Sequence, residues 1–275
     1  MIKSLMITGY GINCEREMAH AYELAGADLK IPVETKIVHL KDILLEKINI
    51  HNYHIINFPG GFSFGDDLGA GKGLAQRIKH ARIDGKEKLM NEFQKFIRDK
   101  KYILGVCNGF QVMLKLGLVP ALDNKYDTQA VSLWLNESGR FEDRWINLKV
   151  NEKASPQFLR GIDQIYLPVR HGEGKIIYNN SVGEKIKKHI AAQYSDNNGE
   201  VTMQYPLNPN GSFDSIAALS DSSGRVLGMM PHPEAHIYFY HNPQWTRLKR
   251  NNCAPHGEGL KIFKNVVEHA HNEGF

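Results

Sequence analysis

Lys101-Tyr102-Ile103-Leu104-Gly105-Val106-Cys107-Asn108-Gly109-Phe110-Gln111 decides the reading of this chain. A short apolar run ends abruptly at a thiol, and an amphipathic helical segment follows. Such a turn carries the thiol at the C-terminal end of a strand and at the N-terminus of a helix. The positive end of the helix favours the thiolate, which is the nucleophilic form of cysteine. The same logic underlies the serine nucleophile elbow, with Gly105 and Gly109 here in the flanking positions. A buried structural cysteine is the competing reading of the segment taken alone.

Upstream of this turn the chain alternates strand-like and helix-like segments. Ser4 to Thr8, Thr35 to Leu40, Tyr53 to Phe58 and Tyr102 to Val106 read as strands. Between and after them, Glu15 to Ala25 (stopped by Gly26), Lys41 to Lys47, Gly73 to Ala81, Lys86 to Asp99 and Gly109 to Leu116 read as helices. This alternation implies βαβ units and a parallel sheet, whose ligands bind beyond the carboxyl ends of the strands. Three glycine-bearing loops follow those ends: Gly9 to Gly11, Gly60 to Gly73, and the turn at Cys107.

The second half has a more antiparallel character. Ser132 to Leu135, Arg144 to Val150, Gln164 to Val169, Ile190 to Tyr194, Ser215 to Leu219 and Val226 to Met230 read as strands. Val182 to His189 and Gly257 to Ala270 read as helices, and Asn208-Pro209-Asn210-Gly211-Ser212 as a strong turn. The expected class is α/β: a mostly parallel central sheet flanked by helices, with an additional antiparallel portion. No repeat or linker divides residues 1–275, so one domain is expected.

Bulk properties exclude several classes. The 275 residues carry 42% hydrophobic and 23% charged side chains, which suits a globular protein with a sizeable core. A net charge of +4, with no long lysine/arginine block, gives no nucleic-acid arm. No apolar run approaches the ~18 residues needed to cross a bilayer, and the run at Ser4 to Thr8 is too short for a signal-peptide core. Cys14, Cys107 and Cys253 are few and widely spaced, which argues for a reducing compartment rather than a disulfide framework. A cytoplasmic protein with no membrane partner is expected.

Cysteine catalysis needs a base and a group to orient it. His232 follows a strand-like segment, and Glu234 lies two residues on across the stiffening Pro233; a carboxylate there can hold the imidazole in its useful tautomer. A surface turn with a solvated glutamate is the bland alternative. Gly60 and Gly61 offer backbone amides that approach a substrate closely, with the Asn108 amide as a second donor. A phosphate-loop reading of the segment from Gly65 to Gly73 fails, because Asp66 stands where the first glycine belongs and Gly73 where Ser or Thr belongs. Zinc is not expected either: Pro233 stands where the metalloprotease order needs glutamate, and the cysteines lack paired spacing.

Taken together, the segments resemble the class I (triad-type) glutamine amidotransferases, a flavodoxin-like fold family, and within it the glutaminase subunits of phosphoribosylformylglycinamidine synthase. The resemblance runs over nearly the whole chain. It is carried by Gly11-Ile12-Asn13-Cys14-Glu15-Arg16-Glu17, Pro59-Gly60-Gly61-Phe62-Ser63-Phe64-Gly65-Asp66-Asp67, the Cys107 turn, His171-Gly172-Glu173-Gly174, the Asn208 to Ser212 turn and Met230-Pro231-His232-Pro233-Glu234. It implies a Cys107–His232–Glu234 triad, an oxyanion hole at Gly61 and Asn108, and glutamine contacts at Gln111, Phe62, His171 and Gly172, with subunit docking as the alternative role of the loop from His171 to Gly174. It implies no cofactor in this chain. ATP and magnesium belong on a large synthetase subunit, which would receive ammonia, and a small accessory subunit joins many such complexes. The stretch from Ala235 to His256, with Tyr238, Phe239, Tyr240 and Trp245, reads as core, with a partner-facing surface as the alternative.

Overall fold

A computed structural model describes residues 1–248 and 256–275; Cys253 lies outside the described residues. The first half contains β1 (Ile2–Thr8), α1 (Glu15–Leu29), β2 (Val33–His39), α2 (Leu40–Leu44), β3 (Ile55–Phe58), α3 (Lys72–His80), a short hairpin of β4 (Arg82–Ile83) and β5 (Glu87–Lys88), α4 (Leu89–Arg98), β6 (Tyr102–Val106) and α5 (Asn108–Leu116). The second half adds β7 (Ser132–Leu135), β8 (Glu142–Val150), α6 (Pro156–Leu159), β9 (Gln164–His171), β10 (Glu173–Ile177), α7 (Gly183–Lys187), β11 (Ile190–Ser195), β12 (Ile216–Ser220), β13 (Val226–Met229) and α8 (Leu260–Asn272).

One nine-stranded sheet runs β2-β1-β3-β6-β13-β12-β11-β8-β9. From β2 to β13 the strands pair in parallel; from β13 to β9 they pair antiparallel. The parallel part has the flavodoxin-like strand order, with the chain reversing its direction of progress between β1 and β3. Strands β3, β6 and β13 are buried along their whole length, as apolar runs covered on both faces must be. Helix α1 packs on α8, while α3, α4 and α5 form a second group. In α4, Leu89, Met90, Phe93, Phe96 and Ile97 recur at helical spacing and make its buried face.

The boundaries differ from the sequence reading at informative places. Helix α1 passes through Gly26 and ends at a left-handed Lys30, with the Lys30 N–H donating to Ala27 O and the Ile31 N–H to Gly26 O. Gly26 serves close packing rather than a stop: a Cβ there would fall 2.5 Å from Val33 Cγ2 and 2.8 Å from Ile31 O. The segment before α4 forms the β4–β5 hairpin, not helix. Strand β10 had no expected counterpart; it pairs with β7 in a separate two-stranded ribbon. The described part of the aromatic stretch is mostly surface rather than core. Tyr240 is 58% exposed and stacks on Tyr238 with ring centroids 5.1 Å apart. Tyr238 also bonds His20 of α1 at 2.7 Å. Rings with a polar tip can cover a helix this way while keeping their hydroxyls wet.

Candidate active site

The C-terminal ends of β1, β3, β6, β13 and β9 converge on one place. Cys107 stands at the β6–α5 turn with φ 51° and ψ −109°, a strained conformation for a non-glycine residue. Its N–H donates to Met229 O at 2.8 Å, which ties the turn to β13. The flanking glycines are needed for space. A Cβ on Gly109 would fall 1.7 Å from Phe58 O, and one on Gly105 would fall 2.1 Å from Met113 Sδ. Helix α5 therefore starts hard against β3 and β6. The Cys107 thiol donates to Arg170 O, at the end of β9, at 3.4 Å.

His232 follows β13, with its N–H donating to Pro168 O at 2.9 Å. Its Nδ1–H donates to Glu234 Oε1 at 2.5 Å, across the short turn begun by Pro233. The cluster is nearly closed to solvent: Cys107 is 5% exposed, His232 2% and Glu234 3%. Burial disfavours the charged imidazole, but the Glu234 carboxylate and the Cys107 side chain outweigh it. The result holds His232 well above the ordinary histidine range. Nδ1 is spent on Glu234, while Nε2 is buried without a hydrogen-bond partner among the described residues. An imidazolium beside a thiol, oriented from behind by a carboxylate, can activate that thiol and then move its proton.

Gly60 and Gly61 close the opposite wall. Gly60 O accepts the N–H groups of Asn13 and Cys14, each at 3.2 Å. In a trans peptide the N–H of the next residue points the opposite way. The Gly61 N–H therefore points away from that turn, and it has no partner among the described residues. Gly61 is required by both space and backbone: φ is 150°, and a Cβ would lie 2.7 Å from Ile12 Cα. The Asn108 N–H, first of helix α5, is left free by the helix geometry.

The residues expected to touch glutamine each make contacts within the protein. Gln111 is buried, accepts Asn108 Nδ2 at 2.8 Å and donates to Glu173 O at 2.6 Å, so its amide braces α5 against β10. Phe62 is 44% exposed and faces Phe141 at 6.1 Å. Gly172 O accepts the Asn136 N–H at 2.9 Å. His171 is buried; its Nδ1–H donates to Asn136 Oδ1 at 3.0 Å, and its Nε2 has no partner among the described residues.

Several contributors were not foreseen. Asn136, in an ordinary-looking turn, holds both His171 and Gly172. Asp66 accepts Asn108 Nδ2 at 3.3 Å; burial, with Glu173 adding, raises its carboxyl above the usual range. Lys115, lowered by burial, faces Glu173 and Asp66. The Asn208 to Ser212 turn acts from behind the site. Ser212 Oγ donates to Gly174 O at 3.1 Å and accepts the Ile176 N–H at 3.0 Å. Asn210 meanwhile bonds Tyr194 at 2.9 Å. Cys14, for which the sequence suggested no catalytic role, lies beside the cluster: its Sγ, a His232 ring nitrogen and a Glu234 carboxylate oxygen lie within 4.8 Å of one another. These three are donors a metal could use, but the His232–Glu234 bond already occupies two of them.

Buried neutral histidines give the fold an acid limit. Burial, with the charged His232 adding, takes His171 down to about 3. Burial, with Lys101, the N-terminus and Lys3 adding, takes His54 down to about 4. Both are neutral in the fold and protonate in the unfolded chain near 6.5. Their stabilisation is complete above that value and is lost as pH falls from 6.5 toward 4 and 3. By pH 5 His171 alone accounts for roughly 2 kcal/mol, and half-buried His54 for less. The urea midpoint is expected to fall clearly between pH 7 and pH 5. His54→Asn, which keeps an acceptor for the Lys3 N–H bonded at 3.1 Å, should shrink that fall. An equal fall in both proteins would count against His54.

A family model described as CobB/CobQ-like glutamine amidotransferase domain matches residues 1–270. A Methanococcus maripaludis protein named phosphoribosylformylglycinamidine synthase subunit PurQ is 40% identical over 278 residues, with 97% of each chain covered. A Dehalococcoides mccartyi protein of the same name is 38% identical, with 98% of each covered. Among solved structures, a chain in the structure of PurLQS from Thermotoga maritima is 25% identical with a TM-score of 0.68, covering 98% of each chain. The glutaminase domain of Trypanosoma brucei CTPS, solved with bound acivicin, shares the fold at a TM-score of 0.53 and 14% identity, covering 99% of this chain and 94% of that one. With full-length matches to relatives of one name and a turn, pair and glycine loop meeting at one point, the chain belongs to the CobB/CobQ-like glutamine amidotransferase domain family and, within it, to the phosphoribosylformylglycinamidine synthase subunit PurQ family.

Proposed function

We propose that this protein hydrolyses glutamine at Cys107 and passes the ammonia to a large synthetase subunit, which uses ATP and magnesium to turn formylglycinamide ribonucleotide into the amidine. The observation that carries the reading is the buried His232–Glu234 bond of 2.5 Å beside a thiol on a strained strand–helix turn. The whole chain acts as one amidotransferase domain, because the parallel half supplies Cys107 and the antiparallel half supplies His171 and Gly172. Its compartment is the reducing cytoplasm; no described helix is long and apolar enough to cross a membrane.

The Cys107 thiolate attacks the side-chain carbonyl carbon of glutamine, and the Gly61 and Asn108 N–H groups take up the oxyanion. Imidazolium His232 gives its proton to the departing nitrogen, so ammonia leaves and a thioester remains. Neutral His232 then takes a proton from water, the hydroxide attacks the thioester, and glutamate leaves as the thiolate and imidazolium re-form. Glu234 keeps Nδ1–H in place and stabilises the charged ring. Gln111, Phe62, His171 and Gly172 shape the glutamine pocket around this centre.

With Cys107 only 5% exposed, substrate entry needs the wall to move. The segment after Gly61 is the candidate: Phe64 and Asp66 both hold φ near 57°, a conformation that costs energy outside glycine. Exposed Phe62, Leu68, Trp134, Leu135 and Phe141 offer an apolar surface near that wall for the synthetase subunit, with a small accessory subunit as a further component. Docking that reorders this wall would couple glutamine hydrolysis to synthesis. Glutamate release is expected to rise at least tenfold when the synthetase subunit, formylglycinamide ribonucleotide and ATP are all present. A rate indifferent to that mixture would remove the synthetase from the reading and leave only a glutaminase.

A further inference from the structure

Cys14 holds a position that neither the fold nor the glutaminase chemistry explains. It precedes α1 at the N-cap, where Ser, Thr, Asp or Asn would accept a bond from the first turn, and its side chain makes no such bond. The thiol donates instead to Asn13 Oδ1 at 3.3 Å. It borders the same small space as the nucleophile. A Cβ on Gly60 would lie 3.2 Å from Cys14 Sγ, 3.5 Å from Cys107 Cβ and 2.8 Å from His232 Cε1. Because residue 60 is glycine, that space holds no side chain, and Cys14 Sγ and Cys107 Cβ both border it. Both are free thiols, Cys14 partly exposed and Cys107 buried.

We propose that Cys14 is the resolving thiol for Cys107, so that attack of a peroxide on the nucleophile is captured as a Cys14–Cys107 disulfide that silences the glutaminase reversibly. The inference rests on the reading of Cys107 as the nucleophile. Cys107 thiolate attacks one peroxide oxygen; the O–O bond breaks, Cys107 becomes a sulfenic acid, and the departing hydroxide takes the His232 proton and leaves as water. His232, now neutral, takes the proton of the Cys14 thiol, which lies within 4.8 Å of its ring nitrogen. The Cys14 thiolate turns from Asn13 into the Gly60 space and attacks the Cys107 sulfur. A disulfide forms, and hydroxide leaves with the His232 proton as a second water. Two thiols are oxidised and one peroxide is reduced. A reducing thiol pool restores both cysteines by exchange. Without Cys14 the sulfenic acid remains open to a further oxidation that is not reversed.

The test is peroxide treatment of the full-length protein, trapping of free thiols by alkylation, and peptide mapping beside a glutaminase assay. The expected map contains a peptide pair joined through Cys14 and Cys107, lighter by two hydrogens than the reduced pair. Activity is expected to disappear with that species and to return with dithiothreitol. Cys14→Ser, once treated, is expected to regain less than a tenth of its own untreated activity, with Cys107 carrying a sulfinic acid. Free Cys14 beside oxidised Cys107, a Cys107–Cys253 link, or full recovery of Cys14→Ser would each overturn the proposal. The map reads the sulfur chemistry itself, so its failure is distinct from failure of the nucleophile reading, which Cys107→Ala tests by activity alone.

Discussion

Cys107→Ala is expected to lower kcat for glutamine hydrolysis by about 10⁴-fold or more, because it removes the nucleophile on which the thioester forms. Alanine keeps the Cβ, so the strained backbone at φ 51° gains no new clash. What disappears is one sulfur, its 3.4 Å bond to Arg170 O and its share in holding the His232 proton. The fold should therefore survive with a loss of about 1 kcal/mol or less. Residual turnover would come only from binding and from the Gly61 and Asn108 amides. Cys107→Ser should be nearly as inactive, since a hydroxyl beside His232 is far less readily ionised than a thiol. In the assembled complex, ammonium chloride should bypass the defect and restore amidine formation. A variant within tenfold of wild type in glutamate release would sink the nucleophile assignment.

The sequence disclosed the frame of the fold because the inner parallel strands β3, β6 and β13 are short, mostly apolar runs buried along their length. Tyr102 to Val106 matched β6 residue for residue, and Ser132 to Leu135 matched β7. Where glycine carried the inference, the outcome depended on what the glycine does. Gly26, read as a stop, lies inside α1 to let β2 approach, whereas Gly117, not read as one, ends α5 in a left-handed cap. Pattern alone cannot separate a stop from a close contact. Strand β10 was hidden because it follows β9 after one residue and leaves the main sheet for the β7 ribbon. At the site, the elbow and the His-Pro-Glu spacing were legible because their chemistry lies within a few residues. Asn136, Lys115 and the thiol of Cys14 were not, since each reaches the site only through tertiary contact. The Asn208 to Ser212 turn was conspicuous as a motif, yet its side chains brace the 171–174 loop rather than the triad.

Glu234→Gln is expected to cut kcat by roughly 10³-fold and to move the alkaline limb of kcat/KM to lower pH. The amide oxygen can still accept the His232 Nδ1–H, now bonded to Glu234 at 2.5 Å, so ring orientation changes little. The charge does change. Burial works against the imidazolium, and Glu234 is the first of the groups that overcome it. Without that carboxylate, burial dominates and His232 falls toward its neutral form. The sign follows from the raised wild-type value. The imidazolium is present at neutrality and is lost only as pH rises through that raised value, so a lower value brings the loss to lower pH. Cys107 then loses its counter-ion and the leaving ammonia loses its proton donor in the same step. Stability follows the same sign: the pair's contribution is complete below the unfolded histidine value near 6.5 and fades as pH rises through the folded one. Glu234→Gln is therefore expected to lose more stability at pH 6 than at pH 9. Rate profiles from pH 6 to 10 and urea midpoints at both pH values, wild type beside variant, decide the matter. A normal rate with an unmoved alkaline limb would mean that Glu234 is a structural carboxylate and that His232 draws its proton affinity from elsewhere.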